Sequence, residues 1–149
     1  MRYVAVLRAV WYCFAMKILR TLVFAVFMAL YTFNALAAPG DEEFDRGYES
    51  FVARDYVAAV KWWEAAAELE HERAQNGLGV LYRDGDLGEP DMKKAVYWFK
   101  RSAQNGYAFA MYSLAILYRN GDGVERDDIE AHKWFDLSSL QFLKVFQHR

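Results

Sequence analysis

AQNGLGVLYRDGD at residues 74–86 and DMKKAVYWF at 91–99 form a pattern that occurs twice in the chain. The second copy, AMYSLAILYRNGD at 110–122 with DDIEAHKWF at 127–135, begins 36 residues later without insertion or deletion. The matched pairs are Ala74/Ala110, Leu78/Leu114, Leu81/Leu117, Tyr82/Tyr118, Gly85/Gly121, Asp86/Asp122, Asp91/Asp127, Ala95/Ala131, Trp98/Trp134 and Phe99/Phe135. A fixed period of this length is typical of stacked structural units, and it favours recognition over catalysis.

Apolar residues at helical spacing predict six helices after Gly40. They are expected at about 41–53, from Asp55 to Ala67, at about 72–83, from Asp91 to Asn105, at about 108–119 and from Asp127 onwards. Asp55 is placed to cap the second helix, and Asp127 with Glu130 fits a capping box. Glycines 85, 106 and 121 suit left-handed helix ends. Because no stretch alternates cleanly with period two, we expect an all-α fold.

Small residues recur where neighbouring helices must approach closely. Gly79 matches Ala115, and Ala95 matches Ala131 with Ala59 one unit earlier. The large side chains predicted to fill the gaps between helices are Leu81, Tyr82, Trp98 and Phe99. One helical hairpin cannot bury its apolar face alone, so the units are expected to stack.

The repeated pattern resembles the Sel-like repeat, a relative of the tetratricopeptide repeat with a slightly longer period. In one unit the resemblance rests on Ala74, Leu78, Gly79, Tyr82, Gly85, Asp91, Ala95, Trp98, Ala103 and Gly106, and in the next on Ala110, Leu114, Tyr118, Gly121, Gly123, Val124, Asp127, Ala131 and Trp134. Residues 44–70 look like a degenerate first unit with a shorter loop. The resemblance implies a short right-handed α-solenoid of about two and a half repeats at 38–149, with units at about 41–71, 72–107 and 108–149, and a role in binding proteins.

The tail departs from the family pattern. After Phe135 the family would show paired alanines and a glycine, whereas this chain reads SSLQFLKVFQHR at 138–149. The tail is either a terminal capping helix or the end of a truncated gene, in which case the chain is a fragment without its own role. A cap requires a polar outer face, and several tail residues are apolar: Leu140, Phe142, Leu143, Val145 and Phe146.

The first 37 residues have the features of a signal peptide. They contain four basic and no acidic residues, an apolar run at 21–33 and the small-residue motif Ala35-Leu36-Ala37. We expect cleavage after Ala37, with Met16 as a possible true start. The alternative is an uncleaved membrane anchor, although the apolar run is short for a span of about 20 residues. The protein is therefore predicted to be exported, either to the periplasm or out of the cell.

The charge of the remaining chain limits its partners. Removal of 37 residues from 149 leaves 112, with 14 basic and 20 acidic residues and a net charge of −6. Nucleic acid is not an expected partner, because phosphate binding needs clustered Lys and Arg. The acidic balance favours protein partners with basic patches. The only cysteine, Cys13, precedes the cleavage site, so helix packing rather than a disulfide must stabilise the exported domain.

The sequence carries no catalytic signature: it contains no G-x-S-x-G, H-E-x-x-H, P-loop, C-x-x-C or S-x-x-K motif. We expect no enzyme activity and no cofactor. The alternative is an envelope hydrolase of the β-lactamase-like kind described for some cysteine-rich relatives, or a regulator of one. This chain has neither paired cysteines nor the motifs of serine enzymes.

Three groups of residues raise the question of a metal site. Asp128, His132 and Asp136 share one helix face, but a solvated face with local charge pairs is the simpler interpretation. The loops 84–86 and 120–122 lack the ligand series of a calcium loop. His71, at the junction of the second and third helices, is interpreted as a contact with a helix C-terminal dipole. No metal is expected.

The positions at which the two units differ are the candidates for partner binding. Arg73 is matched by Phe109, and Asn76 by Tyr112. The resemblance to tetratricopeptide arrays places such positions on the concave side, where the first helix of each unit faces the partner. Ordinary surface is the alternative interpretation. The overall prediction is an exported adaptor or scaffold of the cell envelope that binds a protein or peptide.

Overall fold

The computed structural model of the protein describes residues 38–147, so the predicted signal peptide at 1–37 lies outside the described residues. These residues contain six helices and no strand. The helices are α1 (Asp41–Val52), α2 (Tyr56–Glu68), α3 (Glu72–Asp84), α4 (Met92–Gln104), α5 (Ala108–Asn120) and α6 (Asp128–Gln147). Contacts run mainly between helices that are consecutive in the chain. The predicted all-α solenoid is confirmed, but it has three complete helical pairs rather than about two and a half repeats.

The turn between the two helices of each pair is built in the same way three times. Asp55, Asp91 and Asp127 each accept a hydrogen bond from the backbone N–H three residues on, at 2.9 to 3.0 Å. The backbone N–H of each aspartate donates to a carbonyl of the preceding helix, respectively that of Ser50, Tyr82 and Tyr118. Each turn thus satisfies a helix N-terminus and anchors it to the helix before. The first turn is four residues shorter, because three residues separate α1 from α2 and seven separate α3 from α4.

The predicted capping box at α6 is wrong in its second half. Asp127 caps the helix, but its own N–H donates to the Tyr118 carbonyl and not to Glu130. The Glu130 carboxylate instead accepts from Lys133 at 2.9 Å. The predicted left-handed glycines are confirmed, with φ between 74° and 88° at Gly85, Gly106 and Gly121.

The first two pairs are each held by an aromatic ring of the second helix against a glycine of the first. A Cβ at Gly79 would lie 2.7 Å from the Phe99 ring, so only glycine fits without a shift of the ring. Gly47 stands in the same relation to Trp63 in the first pair. Phe99 is fully buried and Trp63 almost so. Full burial of such a side chain contributes about 1.5–3 kcal/mol, and the close approach confirms the predicted role of the small residues.

Ser102 and Ser138 show that the repeat continues beyond Phe135. Ser102 donates to the carbonyl of Glu72 at 2.7 Å, and Ser138 donates to that of Ala108 at 2.9 Å. Both serines are buried, and both bonds join the second helix of a pair to the start of the first. The tail is the continuation of α6, which runs without a break to Gln147.

The outer face of α6 carries both polar and apolar side chains. On α4, Val96 and Ala103 are buried in the cluster that joins α4 to α5. The α6 residues 36 places later, His132 and Ser139, are exposed, as is Asp136 between them. Leu140 and Leu143, four residues after Asp136 and Ser139, lie on the same side of the helix and are 56% and 59% exposed. The outer face of α6 is thus more polar than that of α4, but it keeps the exposed apolar tail residues expected from the sequence.

The outer face of α1 is polar at the positions that correspond to the buried face of α3. Gly47 and Gly79 align α1 with α3 at an offset of 32 residues. On α3 the residues that face the preceding pair are buried, among them Leu78 and Leu81. The matching α1 residues, Arg46 and Glu49, are exposed. The outward side of α1 therefore differs in character from the packed side of α3.

Candidate functional site

A cleft of about 240 Å³ opens on the surface formed by the first helices of the pairs. Its lining comes from α1, α2 and α3 and from the residue that precedes α5. The lining residues are Phe44, Tyr48, Phe51, Trp63, Arg73, Asn76, Gly77, Val80 and Tyr107. Eight of these nine are uncharged, and five are aromatic. The cleft therefore offers an apolar surface of side-chain size that is open to solvent.

The base of the cleft is the Trp63 indole. Its Nε1 donates a hydrogen bond to the Phe44 carbonyl at 3.2 Å, which fixes the ring against α1. A Cβ at Gly77 would lie 2.8 Å from the indole, so the missing side chain lets the ring pack directly against the backbone of α3. Phe51 packs on the same indole at 5.5 Å between ring centroids. Hydrogen bonding and ring packing thus hold the apolar base in place before any ligand binds.

Arg73 and Asn76 supply the polar groups of the cleft. The Arg73 guanidinium lies over the Phe44 ring, 4.4 Å from its centroid. Arg73 makes no ion pair with any residue in the described range. The Asn76 Oδ1 is buried and has no hydrogen-bond partner among the described residues. Arg73 and Asn76 therefore both carry polar atoms that are not paired with other described residues of the protein.

Phe109 and Tyr112 lie outside the cleft, on α5. They are 57% and 51% exposed. Phe109 contacts Tyr107 at 5.6 Å and meets Phe142 of α6 edge-on at 5.0 Å. Tyr112 meets Phe135 of α6 edge-on at 5.5 Å. The structure thus brings Arg73 and Asn76 together, connects Phe109 to the cleft through Tyr107, and places Tyr112 on a separate ring pair. Their role in partner binding stays a prediction.

Sequence reasoning missed the aromatic half of the cleft. Comparison of two units alone does not identify Phe44 or Tyr48, and Tyr107, matched by His71, lies just before the helices on which the candidates were sought. The signal that identifies the first two is the 32-residue offset between α1 and α3, which matches Phe44 to Asn76 and Tyr48 to Val80. These are again positions at which the units differ.

The helix face with Asp128, His132 and Asp136 forms charge and backbone contacts. Asp128 accepts two hydrogen bonds from Arg126, at 3.3 and 3.0 Å, and these hold the pKa of Asp128 below its usual value. His132 Nδ1 lies 2.6 Å from the Asp128 carbonyl oxygen. Within residues 38–147 no group of three His, Cys, Asp or Glu side chains is close enough to hold a metal ion.

The two Gly-Asp loops also have local partners. Asp84 accepts from the Arg83 guanidinium at 2.7 Å, and Asp122 accepts from the Asn120 amide at 3.1 Å. Gly85 follows Asp84 and Gly121 follows Asn120, and both glycines form left-handed helix ends. The loops serve as the connections between helices, as the repeat pattern predicts.

The interpretation of His71 as a dipole contact at a helix C-terminus is wrong. His71 is the N-cap of α3, and its Nδ1 accepts a hydrogen bond from the Ala74 N–H at 3.2 Å. Because a backbone N–H can only donate, Nδ1 carries the lone pair and Nε2 the proton, which points to Asp41 at 3.1 Å. The ring is buried and stacks on Phe44 at 4.8 Å. His71 therefore supports the wall of the cleft from behind.

Comparison with known proteins agrees with this architecture. The Sel1 repeat family model matches residues 35–71, 72–107 and 108–141. A Sel1 repeat protein from Oxalobacter formigenes has a similar structure, with 28% identity, a TM-score of 0.64, and coverage of 77% of this chain and 89% of its own. The protective antigen c5321 of uropathogenic Escherichia coli strains, which displays an SLR fold, is 31% identical with a TM-score of 0.66. That match covers 74% of this chain but only 24% of the antigen.

A third structure is similar in fold alone. Cysteine rich protein B of Helicobacter pylori is 20% identical with a TM-score of 0.54, and the match covers 56% of this chain and 62% of that protein. A comparison with curated proteins found no match. The Sel1 repeat fold is typically a non-enzymatic interaction scaffold. Nothing in the described residues or in these similar proteins supports the hydrolase alternative. No helix of the described residues is long and apolar enough to span a membrane.

Proposed function

Because the chain belongs to the Sel1 repeat family, we propose that it is an exported adaptor that binds a protein partner on the surface formed by α1, α3 and α5. Sel1 repeat proteins generally mediate protein–protein interactions. The observation that carries the proposal for this chain is the aromatic cleft with its unused polar groups, Arg73 and Asn76.

The continuity of apolar surface supports a protein or peptide as the partner. From the cleft the aromatic surface continues through Tyr107 to Phe109, and Tyr112 is exposed one helical turn further along α5. Clusters of exposed rings beside a pocket are typical of protein interfaces, where buried aromatic anchors supply most of the affinity. The net charge of −6 on residues 38–149 argues against nucleic acid as the partner.

Export is the second part of the proposal, and it rests on the sequence at 1–37. The test is to express the chain with a C-terminal tag, to fractionate the cells, and to determine the N-terminus of the tagged product. A product that begins at Ala38 in the periplasm or medium supports export. A product that keeps residues 1–37 and sediments with membranes supports the anchored alternative, and a full-length product in the cytosol contradicts export.

Partner binding is tested by a matched pair of tyrosines. Tyr112 on α5 is 51% exposed, and Tyr97 on α4 is 54% exposed but lies outside the cleft and the rings beside it. A photo-crosslinking amino acid is placed at either position in the protein as it is produced in the cell. We expect adducts of defined mass from position 112 and few from position 97. Equal labelling at both positions would contradict a binding surface on α1, α3 and α5.

A further inference from the structure

The cleft differs in charge from the protein as a whole. The 112 residues after the predicted cleavage site carry a net charge of −6, yet the only charged residue in the cleft lining is the cation Arg73. Interactions between exposed charges are largely screened beyond about 8 Å at physiological ionic strength. The residues that line the cleft therefore determine which charge it accepts, and the sequence-based expectation of basic partners does not apply there.

Arg73 is positioned to receive a carboxylate. Its guanidinium is held over the Phe44 ring, and no acidic residue of the described range pairs with it. A stacked guanidinium keeps its edge free for two parallel hydrogen bonds to a carboxylate, and little side-chain freedom remains to be lost. Asp41, which matches Arg73 at the 32-residue offset, lies 3.1 Å from the Nε2 atom of His71.

The remaining lining selects for a large apolar side chain. A volume of about 240 Å³ above the Trp63 indole is enough for one aromatic or leucine-sized side chain. The half-buried ring of Tyr107 and the exposed ring of Phe109 extend the apolar surface beyond the cleft. A polypeptide can therefore continue on the protein after its anchor residue, which favours an internal segment over a chain end.

From these observations we infer that the cleft binds an internal peptide segment of the partner in which a large apolar side chain enters the cleft and a neighbouring Asp or Glu side chain pairs with Arg73. This inference rests on the proposed adaptor function. The unpartnered Asn76 Oδ1 supplies an acceptor for an N–H of the same segment.

The test uses a displayed library of random 12-residue peptides that are flanked by linker on both sides, selected on the protein purified from its expressing cells. We expect wild-type protein to enrich peptides with Phe, Tyr, Trp or Leu within two residues of Asp or Glu. For the best peptide, Glu→Gln in the ligand is expected to weaken binding about 3- to 10-fold, the range of a partly exposed charged hydrogen bond. Arg73→Glu is expected to enrich Lys or Arg at the same place in the peptide.

Lys61→Glu on α2 is the control, because it changes the net charge equally at an exposed position outside the cleft lining. It should leave the acidic preference intact. An acidic preference that survives Arg73→Glu, or one that Lys61→Glu also abolishes, overturns the inference. Enrichment only from a library with free C-termini shows that the carboxylate is a chain end, which also overturns it. Whatever the outcome of the peptide selection, photo-crosslinking from position 112 tests the adaptor function separately. Circular dichroism confirms that each variant is folded.

Discussion

The two junctions between consecutive helical pairs solve the same packing problem with different chemistry. The first junction, between α1–α2 and α3–α4, contains a polar network around the fully buried Gln75. Gln75 Oε1 accepts from Asn105 at 2.9 Å, and its Nε2 donates to Ala67 O and to the Glu70 carboxylate, both at 3.2 Å. Arg101 completes the network with a bond of 2.6 Å to Glu70.

The second junction, between α3–α4 and α5–α6, has no counterpart of this network. The residues 36 places after Gln75, Glu70 and Arg101 are Met111, Gly106 and Leu137. Met111 is buried in an apolar cluster with Leu114 and Leu117. The comparison teaches that stacking of the pairs depends on the apolar contacts that both junctions share. Because every polar atom of a buried network needs a partner, the network of the first junction adds a requirement for one alignment of the helices.

The largest expected effect comes from the apolar residues that both junctions share. Leu78→Ala and Leu114→Ala each remove a fully buried side chain, and each should cost about 2–5 kcal/mol of unfolding free energy. In a stack with nearest-neighbour coupling, Leu114→Ala should expose the amides of α5 and α6 to hydrogen exchange first, while α1 and α2 remain protected. Urea titration gives the loss of stability. Equal loss of protection over all six helices would show that the junctions unfold as one.

Gln75 and Met111 occupy matching positions of the two junctions, and exchanging their residue types measures how much the polar network contributes to stability. Met111→Gln buries an amide among leucines and should cost about 1–3 kcal/mol. Gln75→Met should cost less, about 1 kcal/mol, because the Ala67 carbonyl keeps its contact with Arg101 at 3.4 Å and the exposed Asn105 can bind water. Both values come from chemical denaturation under identical conditions. A larger loss for Gln75→Met would mean that the network, and not the shared apolar packing, dominates the first junction.

The smallest expected effect is a dependence of the unfolding free energy on pH, which arises from Glu70 at the first junction. Hydrogen bonds from Asn105, Gln75 and Arg101 lower the pKa of Glu70 from its ordinary value of 4.5. The carboxylate therefore stabilises the fold above about pH 4.5, and this contribution is lost as the pH falls through the lower pKa of the folded state. Glu70→Gln should remove that part of the acid dependence.

Glu68→Gln, on the exposed side of α2, serves as the matched control for this prediction. Unfolding free energies of the wild type and both variants are compared between pH 7 and pH 3. The prediction fails if the difference between wild type and Glu70→Gln is constant over this range, or if Glu68→Gln changes the slope by the same amount.

The sequence was a good guide to the helices and turns, because their determinants are local. A capping aspartate, a left-handed glycine and an apolar stripe act within a few residues, and Asp55 and Gly121 were assigned correctly on those grounds. The fixed period then identified the family and the stacking of the pairs.

Features that depend on contacts between different helices could not be predicted from short stretches of sequence. The cleft is built around Phe44 and Trp63, and the shorter first turn shifts α1 by four residues out of the common period. His71 follows one helix and precedes another, so the sequence alone left two possible contacts for it. The helix face with His132 has the spacing of a ligand set, and the structure agrees with the simpler interpretation of a solvated face with local charge pairs.

The polar network of the first junction has a consequence for how an array of this kind can lengthen. If the block at 72–107 were duplicated, Gln75 of the second copy would follow Gly106 of the first copy, where Glu70 precedes it in the present chain. The buried amide would then lose the carboxylate that now accepts its hydrogen bond, and Arg101 of that copy would lose its ion pair. An added unit therefore needs an apolar residue at this position, as Met111 already provides in the next unit. The number of units and the residue at this one buried position are thus coupled.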